Sequence, residues 1–202
     1  MATRRLAHRC VKTAGAVTTH EQTSAYASPW RLGDRARMAL WQLAWRVTCS
    51  WTPKPLNPWR LFVLRTFGAR LSGTPFVHSR ARIQIPWQLT MEHRACLGDG
   101  AVAYSLGPIE IRTGATIAQE AYLCTGTHDF AAANLPLQTA RIIVGEHAFV
   151  GARAFVLPGV TIAERAVVGA ASVVTRSVAA GMIVAGNPAR VIGERVRAAN
   201  GD

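Results

Sequence analysis

Acidic side chains are scarce in this chain. Its 202 residues hold 11 Asp and Glu against 23 Lys and Arg, a formal net charge of +12. Long apolar runs are absent too. No stretch reaches the roughly 20 residues needed to cross a bilayer, so no transmembrane segment is expected. The first 28 residues lack an apolar core of the signal-peptide kind, so no secretory signal is expected and the predicted location is the cytoplasm. The four cysteines, Cys10, Cys49, Cys96 and Cys124, show no CxxC spacing. They read as reduced thiols and exclude a disulfide framework.

The positive charge is unevenly placed. Residues 1–75 carry 12 Lys/Arg and 2 Asp/Glu, a balance of +10, whereas residues 76–202 carry 11 and 9, a balance of +2. A basic segment favours an anionic partner such as a membrane surface or a phosphorylated ligand. No nucleic-acid-binding motif accompanies it, so nucleic acid is not the expected partner.

What the chain does have is a repeat. Twelve six-residue units run from Met91 to Ala179, opening with Met91, Leu97, Ala103, Ile111, Ile117, Leu123, Val144, Val150, Val156, Ile162, Val168 and Val174. Their fifth position is small, and is alanine in seven of the units. A period of six fits neither a helix nor a simple alternating strand. It fits a parallel β-solenoid in which three units make one triangular coil. The opening residue points inward, the fifth sits near a corner, and stacked coils bury an apolar prism. The repeat does not set the hand of the coil; parallel crossovers in general are right-handed.

Around this array the expected organisation is as follows. Residues 1–28 form a disordered basic tail. Residues 29–72 form a helical lead-in, with one helix over 31–50 and another over 57–67 that opens with Asn57-Pro58 as cap and first helical residue. In the first helix Leu40, Leu43, Ala44 and Val47 share a face, with Trp41 and Trp45 beside it. Arg35, Arg37 and Arg46 with these tryptophans suit peripheral contact with an anionic membrane; packing on the domain or on a neighbouring subunit is the other use of such a helix. Residues 73–182 form the solenoid, with an imperfect first coil over 73–90 and an excursion over 129–143. Residues 183–202 end in a short helix, about 188–198, with Asn187 as N-cap and Pro188 in the first turn.

His128 is the candidate for chemistry. It is the sixth residue of its unit, at a corner beside the excursion, and should point outward. Histidine suits proton acceptance near neutral pH; an exposed histidine of no consequence is the plain alternative. Zinc would need three converging histidines. His93, His128 and His147 hold the third, sixth and fourth positions of their units, so they lie at different points around the triangle and no metal site is expected.

Several segments are shared with a known family: Thr125-Gly-Thr-His128-Asp129, Leu135-Pro-Leu137, Val144-Gly-Glu-His-Ala-Phe-Val-Gly-Ala152, Val156-Leu-Pro-Gly-Val-Thr-Ile162, Val168-Gly-Ala-Ala-Ser-Val-Val-Thr175 and Ala185-Gly-Asn-Pro-Ala-Arg190. The chain resembles the hexapeptide-repeat acetyltransferases over roughly residues 30–197. It is most similar to the colanic-acid and exopolysaccharide O-acetyltransferase branch, which is related to the maltose and galactoside acetyltransferases. The resemblance implies an all-β, left-handed parallel β-helix that trimerises, with active sites between subunits and acetyl-CoA as acyl donor. It implies an acceptor hydroxyl on a sugar or glycan precursor, with His128 as general base. Phe149, Gly151, Ala152 and Ala170 would line the thioester and pantetheine. Thr175, Arg176, Asn187, Pro188 and Arg190 would lie near the CoA tail. Departures from the family pattern are Phe149 for tryptophan, Arg176 for lysine, Thr127 for asparagine or serine, and Ala163 and Ala171 for glycine. Asp129 would either orient the site or start the loop. Two alternatives stay open: an amino-sugar or antibiotic acceptor, and a non-catalytic β-helical scaffold.

Overall fold

The computed structural model describes residues 16–22, 24 and 27–195. Three parallel sheets form the faces of a triangular prism. The first face stacks Arg70–Leu71, Leu89–Met91, Ile109–Ile111, Ile142–Val144 and Thr161–Ile162. The second stacks Phe76–Val77, Cys96–Leu97, Thr116–Ile117, Phe149–Val150, Val167–Val168 and Met182–Gly186. The third stacks Arg82–Ile83, Val102–Tyr104, Tyr122–Cys124, Phe155–Val156 and Val173–Val174. The parallel β-solenoid read from the period is therefore the fold.

Register follows the repeat. Met91 pairs with Ile111, Ile111 with Val144 and Val144 with Ile162, so unit-opening residues stack in a column. These columns are buried, and with the alanines at fifth positions they fill the prism. The corners turn through the fourth position, which holds left-handed backbone at Arg94, Glu120, His147, Arg153, Arg165 and Ala171. That conformation costs an L-residue roughly 1–2 kcal/mol; at Gly100, Gly114 and Gly159 the family of corners avoids it. Ala171 is thus a strained substitution, while Ala163 is not among the left-handed residues.

Two helices, α1 (Leu32–Thr48) and α2 (Asn57–Thr66), close the first-coil end. The Trp41 indole N–H donates to the Ile83 carbonyl at 2.7 Å, and Trp41, Trp45, Cys49, Leu61 and Leu64 extend the prism core. The buried Arg60 guanidinium donates to the carbonyls of Val77, Pro53 and Lys54 and to the Thr52 hydroxyl, tying α2 to the first coil.

Several expectations need correction. The inward face of α1 is that of Trp41 and Trp45, not of Leu40, Leu43 and Val47, which are exposed. Wide indoles reach across the open prism end and a carbonyl satisfies their polar edge. The same burial removes both tryptophans from any surface. Asn57 does not cap α2 with its side chain, which instead bridges the Pro75 carbonyl and the Val77 N–H. The solenoid begins at Arg70 rather than residue 73. Within the 1–28 segment Val17–Thr19 is a strand, paired antiparallel with the excursion; residues 1–15 lie outside the described residues. Among the described residues the C-terminal segment forms no helix. Met182–Gly186 and Ala189–Glu194 form an antiparallel hairpin whose two-residue turn is Asn187-Pro188. Val191 and Ile192 favour extended backbone, and the strand covers the last open edge of the second face. The predicted helix residues beyond Arg195 lie outside the described residues.

Candidate functional site

The excursion is a β-hairpin rather than a loop. Gly126–His128 pairs with Leu137–Ala140, with His128 opposite Leu137, and the chain rejoins the first face at Ile142. Its base is sewn to the corner by Thr125, whose buried hydroxyl donates to the Tyr104 carbonyl and accepts the Gly107 N–H.

His128 is exposed at the end of its strand. Its Nδ1 lies 2.7 Å from the Leu135 carbonyl oxygen. A carbonyl can only accept, so Nδ1 carries a proton, and in the neutral imidazole the lone pair is then on Nε2. Asp129 does not touch the imidazole. Its Oδ1 accepts the Ala131 N–H and its own N–H donates to the Pro136 carbonyl, so it starts the turn.

The N-terminal strand braces this hairpin from outside, a role invisible in the sequence. The Gln22 amide oxygen accepts the Leu137 N–H at 2.6 Å, and the Asn134 amide donates to the Gln22 carbonyl. His20 Nε2 meets the Thr139 hydroxyl at 3.1 Å while its ring packs on Trp30. Burial holds the His20 imidazole below its ordinary pKa. Glutamine and histidine in an apparently featureless tail carry no sequence signal for such a clasp.

The other candidate residues fall into two places. Leu123, Val156 and Val174 stack in register, so Thr175 and the exposed Arg176 leave the third face at the same corner as His128, two coils further on. Gly151, Ala152 and Ala170 lie at the corner between the second and third faces. The Asn187-Pro188 turn and exposed Arg190 continue that corner, because Val168 pairs with Val184. Phe149 is exposed on the second face beside it. Within one chain, His128 and this second group are therefore on different corners, joined only across the third face. That face presents Tyr104, Tyr122 and Phe155 outward, Tyr122 stacked on Phe155 with ring centroids 4.9 Å apart.

The Gly151 position is tight. A Cβ there would come within 2.7 Å of the Ala170 nitrogen and the Val168 carbonyl oxygen. Its N–H already donates to Val168 O at 2.8 Å, so it is not a spare donor for a thioester. None of these candidate residues lines the cleft of about 510 Å³ between the N-terminal strand and the first face, whose walls include Thr18, Thr139, Arg141, Gly159 and Thr161. Among the described residues no three His, Cys, Asp or Glu side chains converge, and no helix is long and apolar enough to cross a membrane.

Residues 141–176 match the family described as the hexapeptide repeat of succinyl-transferase. The chain is 38% identical over 178 residues to the colanic acid biosynthesis acetyltransferase WcaF of Escherichia coli (strain K12), covering 87% of this chain and 98% of that protein. It belongs to the hexapeptide-repeat acetyltransferases. The chain is thus an acyltransferase, related to that colanic acid biosynthesis acetyltransferase. Solved structures share the fold at low identity. A maltose O-acetyltransferase from Clostridium difficile 630 superposes with a TM-score of 0.70 at 20% identity, over 81% of this chain and 89% of that one. A hexapeptide-repeat acetyltransferase of Vibrio cholerae O1 biovar eltor, complexed with acetyl coenzyme A, gives 0.74 at 17%, over 85% and 93%.

Proposed function

We propose that this acetyltransferase moves an acetyl group from acetyl-CoA to a sugar hydroxyl of a surface or secreted polysaccharide precursor, with His128 as general base. The observation that carries the reading is the His128 imidazole, exposed and fixed by the Leu135 carbonyl with Nε2 free. In this reading the acceptor O–H gives its proton to Nε2 as its oxygen attacks the thioester carbonyl carbon. The C–S bond then breaks, and His128 returns the proton to the CoA sulfur. The products are an acetyl ester and CoA. The acceptor hydroxyl fits the polysaccharide role of the WcaF relative, and the donor fits the acetyl-CoA complex of the Vibrio neighbour.

The site is proposed to lie between subunits of a homotrimer. His128 and Arg176 of one chain would face Ala152, Ala170, Asn187, Pro188 and Arg190 of a neighbour across the aromatic third face. Ala170 is exposed and Ala152 half-buried, so a slender pantetheine arm can lie along that corner. Donation toward the thioester oxygen, where charge develops, falls to Ala152 because the Gly151 N–H is engaged. Phe149 and Thr175 would flank the arm, and Arg176 and Arg190 supply fixed positive charge for phosphates. The excursion hairpin would wall the acceptor side. The proposed location is the cytoplasm, where acetyl-CoA is made available.

The test pairs calorimetry with turnover. His128→Ala should bind acetyl-CoA like the wild type, at about one site per chain, and lose transfer by 10²–10⁴-fold, the range for a general base. Retained turnover would remove His128 from the role. A folded wild type that binds no acetyl-CoA would remove the donor.

A further inference from the structure

Helix α1 has two apolar faces, and among the described residues only one is packed against. Trp41, Trp45 and Cys49 point into the prism. On the opposite side Leu32, Ala36, Leu40, Leu43 and Val47 recur at spacings of four, four, three and four, which places them on a single stripe. That stripe is exposed: Leu40 by 58%, Leu43 by 59% and Val47 by 59%. The stripe continues beyond the helix. The Trp51 indole N–H donates to Val47 O and the Trp59 indole N–H to Thr48 O. Both polar edges are thereby turned toward the backbone at the end of α1. Trp51 stays 70% exposed, and Trp59 stacks on the exposed Phe62. An apolar surface this long, left exposed by the packing of the chain itself, marks an interaction site.

The charge around it selects the occupant. Arg35 and Arg46 flank the stripe, and Lys54 and Arg65 are exposed nearby in sequence on the same helical lead-in. Between residues 29 and 75 the sole acidic residue is Asp34, against eight Lys and Arg. A second copy meeting this face symmetrically would set the same arginines against each other. A bilayer bearing acidic headgroups meets both demands: acyl chains for the leucines and aromatic rings, anionic charge for the arginine rim.

We propose that the outer face of α1, with Trp51, Trp59 and Phe62, docks the enzyme in plane on the surface of an anionic lipid bilayer. This does not depend on the identity of the acyl acceptor or of the general base. The docked face would keep the enzyme at the membrane without a spanning segment.

The test is flotation of the full-length protein with unilamellar vesicles of phosphatidylcholine, with and without about 30% phosphatidylglycerol, at low and high salt. Expected is flotation with the anionic vesicles that weakens at high salt and is lost with phosphatidylcholine alone. Leu40→Glu/Leu43→Glu should lower the partition at least tenfold with an unchanged thermal midpoint, because both side chains are exposed. Wild-type protein left at the bottom of the gradient overturns the proposal. So does undiminished flotation of the double variant. A fall in oligomer mass by light scattering in that variant would show that another copy covers the face, and would also overturn it.

Discussion

Replacing Gln22 by alanine tests whether the N-terminal strand holds the hairpin that carries His128. The change removes the acceptor of the Leu137 N–H and the amide that donates to the Ala27 carbonyl, both at 2.6 Å. Each such bond contributes about 1 kcal/mol net. Gln22 is half-buried, so water replaces part of the loss, and the hairpin should lose about 1–2 kcal/mol against local opening. That is roughly a five- to thirtyfold rise in the open population. Hydrogen exchange reads it directly. The Asp129 amide, bonded to Pro136 O, and the Ala140 amide, bonded to Thr125 O, should exchange faster by that factor. The Gly145 and Gly151 amides, bonded between coils, should not change. Because Leu137 lies opposite His128, transfer should fall while acetyl-CoA affinity holds. Unchanged exchange at Asp129, or faster exchange throughout the coils, would refute the idea of a local clasp.

The remaining predictions concern stability and pH. Arg60→Met leaves buried carbonyls and the Thr52 hydroxyl without their donor, and should cost roughly 3 kcal/mol or more, visible as a thermal midpoint lowered by about 6–12 °C; a drop of a degree or two would show that α2 is not tied through Arg60. Ala171→Gly relieves left-handed backbone at φ 55°. Set against glycine's greater freedom in the unfolded chain, it should stabilise by about 0.5–1 kcal/mol in chemical denaturation, and destabilisation would contradict the strain. His20 has a folded pKa held below its ordinary 6.5 by burial, so the native state binds fewer protons. Its contribution is present above pH 6.5 and is lost as pH falls below it. Protection of the hairpin amides, corrected for intrinsic exchange, should therefore decline on acidification, and His20→Gln should flatten that decline.

The solenoid could be read in advance because its signal is redundant. Twelve units repeat the same demand for an inward aliphatic and a small corner residue, so a departure such as Ala103 or Val160 does not break the pattern. The lead-in helix was also readable, but not its buried face. Its two apolar sides, Leu40-Leu43-Val47 and Trp41-Trp45, compete in the sequence, and only the open end of the prism decides for the indoles. The C-terminal segment misled through Asn187-Pro188, which suits a helix start and a two-residue turn alike. What decided was the unpaired edge of Met182–Gly186, a tertiary fact. His128 stood out through its position beside a break in the period. The groups that fix it, the Leu135 carbonyl and the Gln22 amide, are a backbone atom and a residue more than a hundred positions away, and neither leaves a local trace.

The central claim is that the acetyl-transfer site is completed by two chains. It can be tested by mixing two variants that each lack one half: His128→Ala, which loses the base, and Ala170→Trp, which blocks the neighbouring corner. Each should be inactive alone. Unfolded and reassembled together at equal amounts, a site is whole only where a chain with His128 meets a neighbour with Ala170, and random assembly of a ring makes this about one site in four. Recovery of about a quarter of wild-type transfer is the predicted result. No recovery from properly assembled mixed oligomers would contradict the account and place the whole site within one chain.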